Sequence, residues 1–219
     1  MNSSLQTIIK QLNMKQLETQ IALQCAPVVL GIKLSNLLII DKGYQYKVKC
    51  IFYKTTLSYY QLYEYKERIA FLVFNRRALA RYLKQEEVQR LLRQLRYQND
   101  NLERILQEVA RRFRQYFKKR KNFPHELGLL LGYPFEDVNG FILQQGRGYL
   151  YSGYWKVYKD VECAKKDFEN FDKAKFMLLT WVLRGGTIRS VIAFRHEVMQ
   201  EFSMKTIPPK LDCKGGHYE

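Results

Sequence analysis

The stretch L-S-Y-Y-Q-L-Y-E-Y (Leu57–Tyr65), K-E-R (Lys66–Arg68) and I-A-F-L-V-F (Ile69–Phe74) decides the fold class. Its first segment alternates loosely between apolar and polar residues, its second is short and charged, and its third is a continuous apolar run. A half-buried strand, a turn and a strand buried on both faces explain that order; a helix would need apolar residues three and four apart. The stretch therefore predicts a hairpin whose second strand is central in a sheet. Outward from it lie two more strand candidates, Leu37–Ile40 after a loop broken by Gly31 and Asn36, and the alternating Tyr149–Tyr158. Nearly everything else has helical spacing. The expected fold is α+β and helix-rich, with a small mixed or antiparallel sheet from residues 37–40, 57–65, 69–74 and 149–158.

Residues 4–24 carry apolar residues at helical intervals, and Pro27 is expected to end that helix. Asp41-Lys-Gly43 reads as a turn and Tyr44–Lys54 as a helix. A helical segment opens at Arg76–Leu83. Val88, Leu91, Leu92 and Leu95 mark an amphipathic helix, and Asn99 or Asp100 caps the next, with Leu102, Ile105, Leu106, Val109 and Phe113 on one face. Val161–Leu183 is helical, Gly185-Gly186 ends it, and Ile188–Phe202 forms a last helix. The expected organisation is one α+β domain over residues 1–203, with a basic helical segment at 76–121, followed by a disordered tail at 204–219 rich in Pro and Gly.

Phe123–Phe141, F-P-H-E-L-G-L-L-L-G-Y-P-F-E-D-V-N-G-F, reads as two short helices meeting at a tight corner. Pro124 suits a first helical position, Gly132 permits a left-handed cap, and Pro134 stops the first helix. The second helix starts with Glu136 and Asp137 in its first turn and buries Val138, Phe141 and Ile142. Two other stretches stand out: Cys25-Ala-Pro27 followed by Gly31-Ile-Lys33-Leu-Ser-Asn36-Leu37, and Gly153-Tyr-Trp155-Lys156-Val-Tyr158. Together the three stretches closely resemble the hallmarks of an uncharacterised family of small bacterial proteins, a domain of unknown function, in family order from about residue 20 to about 175. That resemblance implies no activity and no cofactor. Family members often carry a His where this chain has Gln24, and cysteines where it has tyrosines around Trp155, so no metal or redox role is expected at those positions.

A hydrophobic content of 47% in 219 residues is enough for a full core. The opening M-N-S-S-L-Q-T-I-I-K has no basic region leading into an apolar core, so a secretory signal is not expected. The longest apolar run, Phe176–Leu183, is too short to span a bilayer. Cys25, Cys50, Cys163 and Cys213 lie far apart without C-x-x-C spacing, the pattern of reduced thiols in a cytoplasmic protein. The net charge of +16 is concentrated: residues 76–121 hold 15 Lys/Arg against 5 Asp/Glu, while residues 122–219 hold 13 against 12.

Two functional readings follow. In the first, the basic face formed by Arg104, Arg111, Arg112, Arg114, Lys118, Lys119, Arg120 and Lys121 docks nucleic acid, another polyanion or an acidic protein partner, without catalysis. An ordinary solvated helix face is the competing explanation. In the second, the three family-like stretches converge on one pocket. Cys25 would be a nucleophile and His125 its base with Asp137 orienting it; Lys33, Asn36, Tyr133, Glu136, Trp155, Lys156 and Tyr158 would bind a ligand. The competing explanation buries a structural Cys25, lets His125 cap a helix and packs Trp155 into the core. The helical corner also fits the helix-turn-helix template, but Glu136 and Asp137 at the front of its second helix would face phosphates. His125-Glu126 lacks the second His of H-E-x-x-H, and no metal site is expected.

Overall fold

The computed structural model describes residues 3–98, 101–119 and 123–202. The chain runs α1 (Ser3–Gln11), α2 (Leu17–Val29), β1 (Ser35–Asp41), α3 (Gln45–Phe52), β2 (Ser58–Tyr65) and β3 (Arg68–Phe74). Five helices follow: α4 (Arg76–Leu83), α5 (Glu86–Gln94), α6 (Leu102–Lys119), α7 (Leu127–Leu130) and α8 (Phe135–Leu143). After them come β4 (Tyr151–Ser152), β5 (Lys156–Val157), α9 (Val161–Leu183), α10 (Ile188–Ala193) and α11 (Arg195–Glu201). No described helix is long and apolar enough to cross a membrane.

The expected hairpin is present, and β3 is central: the sheet order is β1-β3-β2, antiparallel throughout. Successive side chains of a strand point to opposite faces. Ile69, Phe71 and Val73 accordingly enter one core, with α1, α2, α3, α9, α10 and α11, while Ala70, Leu72 and Phe74 enter a second, with α4 to α8. The three-stranded sheet is thus sandwiched between two helical layers. One rung of its first edge is filled by a side chain: the Gln24 amide donates to the Ile39 carbonyl at 3.1 Å and accepts from the Ile39 N–H at 2.8 Å.

Five local expectations are corrected. Residues 149–158 do not join the sheet; only Tyr151–Ser152 and Lys156–Val157 pair, as a separate two-stranded ribbon. The chain doubles back at Gly153, where a side chain would strike the Phe168 ring of α9, and the Gly153 N–H closes on the Trp155 carbonyl at 3.0 Å. Pro27 does not end α2 but lies inside its last turn. The Val28 N–H is taken by the Asn36 side chain at 3.1 Å, and the Pro27 carbonyl accepts from Ile32 and Lys33. The helix expected over 4–24 breaks around Asn13, whose side chain accepts from the Lys15 N–H, and the last helix breaks at Phe194. Cys25 and Cys50 carry free thiols as expected, whereas Cys163 is disulfide-bonded, and Cys213 lies outside the described residues. The caps expected at Asn99 or Asp100, and the tail expected at 204–219, lie outside the described residues.

The helical corner forms as expected, although α7 begins at Leu127, a turn later than Pro124 suggests. Gly132 carries φ +70°, the left-handed region, and a Cβ there would sit 3.3 Å from Leu34 at the entrance to β1. Gly132→Ala therefore adds backbone strain and crowding at one point. We expect a loss of about 1–3 kcal/mol in urea denaturation. An unchanged midpoint would show that the corner does not depend on the left-handed turn.

Candidate functional site

The three family-like stretches do meet, but as a packing joint. Tyr133, at the corner between α7 and α8, stacks on Trp155 with ring centroids 5.0 Å apart and planes 27° from parallel. The Lys33 Nζ lies 4.9 Å from the centre of the Tyr133 ring. Asp137, buried in the first turn of α8, accepts from the Trp155 indole N–H at 2.6 Å and from the Tyr158 backbone N–H at 2.7 Å. Burial raises the Asp137 pKa above the usual carboxylate range, and these hydrogen bonds oppose the rise. Gly140 lets α8 approach Tyr158, since a Cβ there would lie 2.7 Å from that ring. Ser35 at the start of β1 donates its hydroxyl to the Leu130 carbonyl. Of the remaining predicted residues, Asn36 is held by Val28, and Glu136 pairs with Lys159 on the surface at 2.9 Å.

The expected nucleophile and base lie in different surroundings. Cys25 is fully buried in α2, in the core that α9 closes, whereas His125 is exposed on the turn before α7 and touches Phe123 and Phe141. The two share none of the described clefts. Burial pushes the Cys25 thiol pKa up, away from the thiolate a nucleophile needs, with Lys33 only partly opposing it. Burial also favours the neutral ring of His125. No cluster of three or more His, Cys, Asp or Glu side chains that could hold a metal occurs among the described residues.

The basic helix α6 divides into a committed and an open part. At 3.6 residues per turn, Arg104, Arg111, Arg114 and Lys118 fall within roughly 80° of arc, opposite Leu106, Val109 and Phe113. Arg104, Arg114 and Lys118 are exposed. Arg111 is exposed too but grips Glu108 with two hydrogen bonds of 2.7 Å. Arg112 is turned inward, which corrects its assignment to the anion-binding face. It donates to Glu108 at 2.7 Å, to the buried Glu126 at 2.9 Å and to the Leu95 carbonyl at 2.8 Å, and lies 4.3 Å over the Tyr97 ring. Tyr97 also donates to Glu126 at 2.9 Å. The two arginines hold the Glu108 pKa down to about 2. The Glu108, Arg111 and Arg112 spacing of three and four is legible in the sequence; Tyr97 and Glu126 carry no sequence signal that would join them to it. Arg120, Lys121 and the Lys119 side chain lie outside the described residues.

The described residues form three open clefts here, two of them bordering this network. One of about 460 Å³ is lined by Arg96, Arg104, Arg111 and Arg112, with Glu108 the one carboxylate among the described residues of its wall. A second, of about 500 Å³, runs from Arg112 and Gln115 to Phe123 and His125. The third, of about 350 Å³, brings together five of the predicted residues, His125, Tyr133, Asp137, Trp155 and Lys156, with Phe141. Cys25, Lys33 and Asn36 do not line it.

Residues 21–192 match a protein family whose description is protein of unknown function, DUF3793. No curated protein and no solved structure matches the chain.

Lys33 supplies a pH test of the joint. Its ammonium is buried among Tyr133 and Phe171, and that burial lowers its pKa from an ordinary 10.5 to about 7. Between those values the unfolded chain holds a proton that the folded chain has released, so stability rises with pH across the window. Below pH 7 the folded chain must bury the charge. Lys33→Met should therefore be more stable than the wild type at neutral pH, and its advantage should shrink as pH climbs towards 10.5. Urea denaturation of both proteins at several pH values checks this; a pH-independent difference would refute the buried, neutralised amine.

Proposed function

We propose that this chain, which belongs to the DUF3793 family of proteins of unknown function, is a non-enzymatic polyanion-binding protein that uses the open face of α6. The observation that carries the reading is the arginine-lined cleft with Arg104, Arg114 and Lys118 exposed along one side of the same helix. A solvated helix face of the ordinary kind intersperses both signs of charge. Here Glu108 is the carboxylate on the cleft wall, and Arg111 and Arg112 already neutralise it. The remaining guanidinium groups are left for an external anion, and phosphates suit their forked geometry.

The residues assigned to the interaction are Arg96, Arg104, Arg114 and Lys118; Arg111 and Arg112, paired with Glu108, form the wall against which the cleft is built. Nucleic acid is the favoured class and an acidic protein surface the alternative. The setting we propose is the cytoplasm.

If phosphate neutralisation drives binding, log K should fall linearly with log salt. Replacing Arg104, Arg114 and Lys118 with Ala should weaken binding to every sequence alike and reduce the slope by about 2 to 3. Fluorescence anisotropy with labelled oligonucleotides over a salt series measures both quantities. No binding near physiological salt, or an affinity that salt leaves unchanged, would overturn the proposal.

A further inference from the structure

The three clefts adjoin through shared wall residues, and the row they make is called the furrow below. The arginine cleft shares Arg112 with the middle cleft, and the middle cleft shares Phe123 and His125 with the third. The chemistry changes along its length. One end carries Arg96 and Arg104. The middle carries rings in sequence, with Phe123 and His125 centroids 5.5 Å apart and His125 and Phe141 centroids 4.8 Å apart. The far end carries Lys156, whose Nζ lies 5.7 Å from the centre of the Phe141 ring and 4.6 Å from that of Tyr149.

Carboxylates along the walls do not oppose an anion freely. Glu108 is held by Arg111 and Arg112, Glu126 by Arg112 and Tyr97, and Asp137 by Trp155 and Tyr158. What remains along the walls is cation, aromatic row, cation, with the half-buried Lys156 ammonium also donating to the Gly146 carbonyl at 2.7 Å.

We infer that the furrow binds single-stranded nucleic acid, with phosphates at Arg96 and Arg104 and at Lys156, and bases laid against His125 and its neighbouring rings. The inference rests on the polyanion reading and narrows it. A duplex offers only phosphates to such a surface, because its bases are stacked on one another. An unpaired strand can use both the cations and the rings. The rings are accessible for this: His125 is exposed, and Phe123 and Phe141 are half-buried. Burial favours the neutral imidazole, so the His125 ring serves as a flat stacking surface at neutral pH.

The test compares anisotropy of a labelled oligo(dT) of about 12 nucleotides, within the usual range of single-strand site sizes, with a duplex of equal length and with heparin as competitor. The single strand should bind tighter than the duplex. His125→Ala should weaken oligo(dT) binding about tenfold, the loss of one base–aromatic stack, and leave heparin binding and the thermal midpoint unchanged. His125→Phe should retain the affinity. Arg104→Ala should weaken all three ligands. Equal binding of strand and duplex, or His125→Ala without effect on oligo(dT), would overturn the single-strand inference while leaving the polyanion reading in place. Absence of binding to all three would overturn both.

Discussion

Strand β3 is apolar on both sides, and much of the rest follows from that. Ile69, Phe71 and Val73 on one face and Ala70, Leu72 and Phe74 on the other all need cover. Transfer of such side chains out of water is the main favourable term in folding, at about 25 cal/mol per Å² of apolar surface. A sheet with one wet face would leave half of β3 in solvent, so helices must lie on both sides, and the chain supplies one layer from its two ends and the other from its middle. The corner between α7 and α8 sits at the boundary. Tyr133 touches both cores and is flanked by Lys33 and Trp155. This is a physical reason for three distant stretches of unusual composition to converge: they fasten one layer to the other.

The basic segment is tied to the same architecture. Its apolar face packs on the sheet through Phe113 and Phe117, whose rings meet Tyr63 of β2 at centroid distances of 6.1 and 4.6 Å. The opposite face is left to solvent. Between them, Arg112 and Glu126 form an ion pair whose carboxylate is buried and has a second donor in Tyr97. Removing one member of such a pair leaves a buried charge without compensation, so the network fixes where the basic face can be. The positive field and the fold are therefore linked through one guanidinium.

Much of the fold was legible because period is a strong signal. The hairpin, the centrality of β3, the helix at Arg76–Leu83, the long α9 and the corner at Gly132 could all be read from apolar spacing and from Gly and Pro. Tyr149–Tyr158 misled because alternation alone cannot report a partner; the Gly153 contact with Phe168 that folds it into a short ribbon depends on a helix far along the chain. Pro27 misled because the side chain of Asn36, nine residues on, took up the backbone N–H that follows it. At the site, convergence of the second and third stretches was readable from composition, and five predicted residues line one cleft. The inward turn of Arg112 was not, because sequence shows charge but not burial. Cys25 shows the same gap: the sequence offers it as a nucleophile, and its full burial is visible only in the structure.

The Gln24 amide gives the sheet a property of its own. Its two hydrogen bonds to Ile39 copy those of a neighbouring strand and occupy one donor and one acceptor that β1 would otherwise turn outward. Exposed strand edges are templates for another chain, and natural sheets cover or disrupt them. Here a single side chain fills one rung of the ladder, so a foreign strand cannot zip along β1 without first displacing it. Self-assembly by strand addition is thereby steered away from one side of the molecule, and a protein with a crowded basic surface is kept from polymerising through its sheet at that border.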